Sequence, residues 1–297
     1  MVHPPQRTSS RTSLRTSPRT SLSGPALVRL LSRLGETEVQ ASPQPLADRL
    51  SQWLGWTDAI ALSTVLAAPA PAVVGGALAS GEDEAQRCLS LRSALSKAIA
   101  LDGVLAPAKA RRSGSYGLAR ASQQAPVPPP PETDETDADY AVFRQCYIAL
   151  QQKMETDIGD LRGRLRSRLA AVSPAMAKLA TLDATMERSL AARERSLLGA
   201  VPGLLGAHFE RLRKGAREAA AREAAAREAA AREAAAREAM AHEAATLAAT
   251  AQASPIGATA PGAWLDAFRK DVQSVLLAEL DVRFQPVEGL LAALRAR

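Results

Sequence analysis

The sequence predicts an all-α protein: a small N-terminal helical unit, long antiparallel or coiled-coil-like helices, and a projecting single helix rich in Ala, Arg and Glu, with a disordered N-terminus and linker. Three observations carry this. Ala216 to Ala244 repeats Ala-Arg-Glu-Ala-Ala every five residues, and apolar side chains from Tyr147 to Val172 recur three and four residues apart. Aromatics are only 3% of the 297 residues and alanine inflates the 46% hydrophobic fraction, a composition of long helices rather than of two compact cores.

The formal charge of +6 and a pI near 9.7 leave nucleic acid, an acidic protein or an anionic membrane surface open as partners. The two cysteines, Cys88 and Cys146, fall in different predicted helices and form no CxxC pair, so neither a disulfide scaffold nor a zinc site is indicated. A reducing, cytoplasmic setting fits this best.

Residues 1–22 are expected to be a disordered basic tail, because the Arg-Thr-Ser repeats of 7–22 have almost no large apolar side chain to bury. They also lack the apolar core of a secretory signal. An N-terminal helical unit is expected over 23–105. Its first helix starts at Pro25, carries Leu27, Leu30, Leu31 and Leu34 on one stripe, and is capped by Gly35. A second follows Pro45 with Leu46, Leu50, Trp53 and Leu54; Gly55-Trp56-Thr57-Asp58 offers a break and a new N-cap before a third, from Ile60 to Leu66. Trp53 and Trp56 either anchor a small core or form a partner-binding face.

No charged residue occurs from Ala59 to Gly81, yet Pro69, Pro71, Gly75 and Gly76 interrupt the stretch, so a helix tip followed by a loop is expected and no integral membrane span. Glu82, Asp83 and Glu84 open a further helix with the stripe Cys88, Leu91, Leu95 and Ile99. Periodicity then vanishes over 106–138, which runs from a basic patch through Pro128 to Pro131 into acidic sequence and reads as a disordered linker.

A long helical hairpin is expected over 139–214. Tyr147, Leu150, Met154, Ile158, Leu161, Leu165, Leu169 and Val172 form a stripe that wants a partner helix. Ser173-Pro174 restarts the chain into an antiparallel neighbour or a kinked continuation, and Val201-Pro202-Gly203 breaks it again. The repeat helix over 215–250 sets Glu218, Glu223, Glu228, Glu233 and Glu238 four residues before Arg222, Arg227, Arg232, Arg237 and His242, each arginine pair adding about 0.2–0.5 kcal/mol. Its five-residue period gathers no charge on one face, so it reads as a spacer. A loop over 251–262 leads to C-terminal amphipathic helices over 263–297, with Trp264, Phe268, Val272, Val275, Leu276 and Leu280 on one face and a stop at Pro286.

No catalytic, cofactor-binding or metal-binding set is expected. His242-Glu243 begins an HExxH spacing, but Thr246 stands where the second histidine belongs. Phosphate-loop, nucleophile-elbow and strand patterns are missing, and His208 has no evident nucleophile or carboxylate partner in sequence. The function expected is therefore that of a non-enzymatic scaffold or adaptor, acting on a protein partner or on itself through amphipathic helices. The residues to carry it are Trp53, Trp56, Tyr147, Leu150, Met154, Ile158, Leu161, Leu165, Trp264, Phe268 and Val272. The alternative is sequence-independent nucleic-acid association through the basic tail and Arg162, Arg164, Arg166 and Arg168, which have no base-stacking aromatics beside them.

Four segments resemble an uncharacterised proteobacterial family of unknown function: SGPALVRLLSRL (23–34), LADRLSQWLGWTDAIALS (46–63), DYAVFRQCYIALQQKME (139–155) and WLDAFRKDVQSVLLAELDVRFQPVEGLL (264–291). The resemblance implies no catalytic motif. It implies an accessory role to a cell-envelope motor-like complex, because such proteins are often encoded beside proteins similar to motor-channel subunits and OmpA-like proteins. The Arg-Thr-Ser tail and the Ala-Arg-Glu tract look like departures from that family's pattern.

Overall fold

A computed structural model of the chain describes residues 25–37, 44–69, 81–106, 138–244 and 262–296. Within them every regular element is a helix: α1 (Ala26–Gly35), α2 (Leu46–Trp53), α3 (Trp56–Ala67), α4 (Gly81–Ala100), α5 (Tyr140–Ala170), α6 (Pro174–Gly199), α7 (Val201–Ala244) and α8 (Ala263–Arg295). The tail over 1–22, the interior of the linker and nearly all of the 251–262 loop lie outside the described residues, as do residues 70–80 and the expected end of the rod at Thr250. Among the described residues no helix is long and apolar enough to cross a membrane.

The helix starts follow local chemistry. Asp139 accepts from the Ala141 N–H at the head of α5, and Ser173 accepts from the Met176 N–H at the head of α6, with Pro174 in the first turn, where its missing N–H is harmless. One cap sits a residue beyond the expected place. Gly35 remains helical and Glu36 takes the left-handed conformation (φ 52°), donating to the Arg33 carbonyl while the Thr37 N–H reaches Ser32. A Cβ at Gly35 would lie 2.8 Å from Thr37 Oγ1, so glycine there is set by the fold-back of Thr37. Within the expected break, Gly55 is the N-cap of α3, and Asp58, three residues on, accepts from the Gly55 N–H at 3.0 Å.

At the core, α8 packs against α1, α4, α5 and α7, and α5 packs in turn on α4, α6 and α7. From α8 come Leu265, Phe268, Val272, Val275, Leu276, Leu280, Phe284, Val287, Leu290 and Leu294, and from α5 Phe143, Tyr147, Leu150, Met154, Ile158, Leu161, Leu165 and Leu169, all buried. Full burial of each such side chain contributes about 1.5–3 kcal/mol. The stripe that wanted a partner helix finds it in the same chain.

Pro286 does not stop the last helix, which runs unbroken to Arg295. Proline inside a helix costs about 3 kcal/mol, and here Phe284 on one side and Val287, Leu290, Leu291 and Leu294 on the other are all buried, which offsets it. Nor do residues 23–105 gather round a core of their own. Instead α1 lies on α7 and α8, α3 on α6, and α4 on α5 and α8. Each of these short helices buries at most a few apolar side chains, so none can shield another, whereas α8 offers an apolar face long enough to collect them. The break before the rod falls at Ala200, and Val201-Pro202-Gly203 forms the first turn of α7 rather than an interruption.

From Lys214 on, α7 leaves the body. Glu218 pairs with Arg222 at 3.5 Å, and Glu223, Glu228 and Glu233 pair with Arg227, Arg232 and Arg237 as the spacing requires. The side chains of Glu238 and His242 lie outside those described.

Candidate interaction surface

Sequence candidates divide sharply by environment. Tyr147, Leu150, Met154, Ile158, Leu161, Leu165, Phe268 and Val272 are buried within the chain, and Trp264 is half-buried against it. Trp264 and Phe268 join Tyr140, Phe143 and Phe209 in one aromatic cluster, with ring centroids of Phe209 5.3 Å from Trp264 and 5.0 Å from Phe268. Such pairs add about 0.5–1.5 kcal/mol each beyond their area. These side chains hold α5, α7 and α8 together.

The tryptophans near the N-terminus behave differently. Trp53 is half-buried between two guanidinium groups, Arg49 at 5.4 Å and Arg193 at 5.7 Å from its ring centroid, which ties α2 to α6. At the far end of α3, Lys178 Nζ donates to the carbonyls of Leu66 at 2.6 Å and Ala68 at 3.1 Å. The half-buried Asp58, Leu62 and Val65 mark the sheltered side of α3, yet no residue of this helix is buried. Trp56 is 81% exposed, Ile60 50% and Leu66 59%. At about 100° per residue Trp56 and Ile60 lie about 40° apart, opposite the sheltered side, and Leu66 lies at the edge of that side. Trp56 is thus no core anchor.

The four arginines of the C-terminal part of α5, Arg162, Arg164, Arg166 and Arg168, are held by carboxylates of this chain. Arg162 makes a bidentate contact to Asp183 at 2.6 and 2.8 Å and reaches Glu187 at 3.2 Å, while Arg166 binds Asp183 at 2.8 Å and also Glu187. Burial pushes the Asp183 carboxyl up, but the two arginines more than reverse this and leave it below the usual range. On the opposite flank Arg164 and Arg168 grip Glu84, itself 1% exposed, at 3.1 and 3.2 Å, fastening α4 to α5. Two guanidinium pairs that looked open for phosphates thus hold α6 and α4.

A second polar cluster is sealed between α5 and α8. Glu279, with no exposed surface, accepts from the Tyr147 hydroxyl at 2.7 Å, from Gln151 Nε2 at 3.0 Å and from Arg283 at 2.9 Å. Sequence reasoning missed it, although Glu279 stands between Leu276 and Leu280 on an apolar face. Above this cluster lies an open cleft of about 490 Å³, bordered by Arg144, Gln151, Glu155, Arg195, Leu198 and Arg283. Arg283 is paired with Glu279 and with Glu194, and Arg195 approaches Glu155, so the cleft carries no strong field of one sign. His208 finds the carboxylate that the sequence did not reveal, Asp271 at 2.9 Å from Nε2. Among the described residues no group of His, Cys, Asp and Glu is placed to hold a metal ion.

Over residues 14–296 the chain matches the family described as Protein of unknown function (DUF3348). It belongs to that family. No curated protein and no solved structure matches the chain. The DUF3348 match begins within the Arg-Thr-Ser repeats and ends with α8, so it takes in the α3 surface, the α5–α8 core and the rod.

Proposed function

We propose that this DUF3348 chain is a non-enzymatic helical adaptor that holds a protein partner on the outward face of α3 and uses α7 as a rigid spacer. The observation that carries this is the exposure of Trp56, Ile60 and Leu66 on a helix with no buried residue. Contiguous exposed apolar groups on a folded chain mark interaction sites, and an apolar helix or groove is the matching partner surface. The buried stripes of α5 and α8 support the body and leave α3 as the contact. Free Cys88 and Cys146 suit a reducing cytoplasm, and the envelope-machine neighbours implied by the family resemblance are the first partners to look for. Phosphate binding by Arg162 to Arg168 is left aside, because Glu84, Asp183 and Glu187 already take up those charges.

The test compares full-length protein with a Trp56→Ala, Ile60→Glu double variant, each purified by affinity from the native cell. Helicity should match between the two, and a protein that accompanies the unaltered chain should be missing from the variant. Identical sets of copurifying proteins would sink the proposal.

A further inference from the structure

The α2–α3 pair is fastened to the body without a buried side chain. Over residues 44–69 every side chain described is half-buried or exposed, whereas α1 and α4 to α8 each bury side chains in the body. Its neighbour is chiefly α6, on which α3 packs, and Leu62 and Val65 on that side are only half-buried. What holds the pair is polar and comes from two cations of α6. The Arg193 guanidinium lies 5.7 Å from the centroid of the Trp53 ring, and Lys178 Nζ donates to the carbonyls of Leu66 at 2.6 Å and Ala68 at 3.1 Å. Arg49, the other cation over Trp53, belongs to α2 itself. Lys178 and Arg193 are about 22 Å apart along α6 at about 1.5 Å per residue, so one holds the α3 end of the pair and the other the α2 end.

Segments with few buried apolar contacts open locally while the rest of a protein stays folded. Helices of 8 and 12 residues, the lengths of α2 and α3, are marginal alone in water, so an opened pair gives up its backbone hydrogen bonds. We propose that α2–α3 is an arm that undocks from α6 as one unit while α1 and α4 to α8 stay folded, with Lys178 as its latch. Undocking adds Leu62 and Val65 to the apolar side chains that the arm presents. It occurs in the chain alone, whatever α3 binds.

Amide exchange of the full chain, followed by mass spectrometry, tests this. The amides of α2 and α3 should exchange at least about tenfold faster than those of α5, the separation between local and global opening. Lys178→Met keeps the aliphatic stem but removes the charge at the C-terminal end of α3, and should speed the arm by about two- to fivefold. Tyr147→Phe weakens the α5–α8 body in the docked and the undocked chain alike, so it should speed exchange in α5 by at least about fivefold and leave the arm unchanged. Arm amides that exchange no faster than those of α5, or that speed up with α5 in Tyr147→Phe, would show a single cooperative unit and overturn the inference. Arm exchange unaltered in Lys178→Met would overturn the latch.

Discussion

The hydroxyl of Tyr147 donates a 2.7 Å hydrogen bond to Oε2 of Glu279, a carboxylate with no exposed surface. Burial first, and the Glu279 charge second, hold that phenol protonated far above its ordinary value. Because Gln151 and Arg283 converge on the same carboxylate, the cluster fixes the register of α5 against α8. Tyr147→Phe should destabilise the chain by about 1–3 kcal/mol, since one acceptor site of a buried charge is left unmet. Urea denaturation measures this. Glu279→Ala should cost more, about 3–5 kcal/mol, because it leaves Tyr147 and Gln151 without their acceptor and Arg283 with Glu194 alone.

Cys146 provides an alkaline counterpart. Burial, and then Asp102 with its Oδ1 at 3.2 Å from Sγ, push this thiol up from 9.0 to about 12. The folded chain keeps a proton that the unfolded chain releases above 9.0, so this contribution is full below pH 9 and is lost as pH rises toward 12. Urea midpoints at pH 8 and pH 10.5 should fall less steeply in Cys146→Ala than in the unaltered protein.

On the acid side the sign reverses. Asp183, held below 3.8 by Arg162 and Arg166 against the effect of burial, adds stability above that value and loses it as pH falls through its folded-state value. Asp183→Asn should lower stability at pH 7 by about 1.5–3 kcal/mol, the range for hydrogen bonds to charged groups. Between pH 4 and pH 2 it should also flatten the decline, a difference that circular dichroism melts at each pH will show.

Two glycines of α7 should respond in opposite senses. A Cβ at Gly206 would come within 2.9 Å of Tyr140 Cε1, whereas one at Gly215 would meet nothing within 4 Å. Gly206→Ala should destabilise by about 1–3 kcal/mol through overpacking of the aromatic cluster. Gly215→Ala, in an exposed helix interior, should stabilise by about 0.5–1 kcal/mol. Equal effects on the denaturation midpoint would mean that Tyr140 has room to move.

Removal of Ala216 to Ala220, one whole repeat, should leave stability within about 0.5 kcal/mol, as surface changes do. Beyond it no side chain of the rod described is buried, so the rotation of about 140° that the deletion imposes shifts nothing against a neighbour. Loss of folding in a thermal melt would show that the rod is packed after all.

The helices were legible in the sequence because their signals are local. Ser173-Pro174, Asp139 and the three- and four-residue steps from Tyr147 to Val172 each specify a start or a face without reference to the rest of the chain. What covers a face is not local. The stripe on α5 fits a second subunit as well as it fits α8, and only the chain's path shows that Leu276 and Leu280 arrive there. The same holds for charge. Arg162 and Arg166 share a flank by helical spacing alone, but Asp183 and Glu187 come opposite only because the turn at Ser173 sets α6 antiparallel. Trp56 was left between core and partner face for a related reason: a bulky aromatic signals burial on average, and nothing in its neighbours says that Val65 and Leu62 face inward instead. Pro286 was read as a stop because its local cost is plain while the burial of Phe284 and Val287 that outweighs it is not.

The place of α8 has a bearing on what the chain can lose. It comes last along the chain among the described helices, yet α1, α4, α5 and α7 all rest on it. A chain without it would present the apolar residues of α4 and α5 that α8 covers. Such uncovered faces invite aggregation. A truncation before Trp264 should therefore be found with chaperones or in the insoluble fraction rather than as a shortened soluble protein.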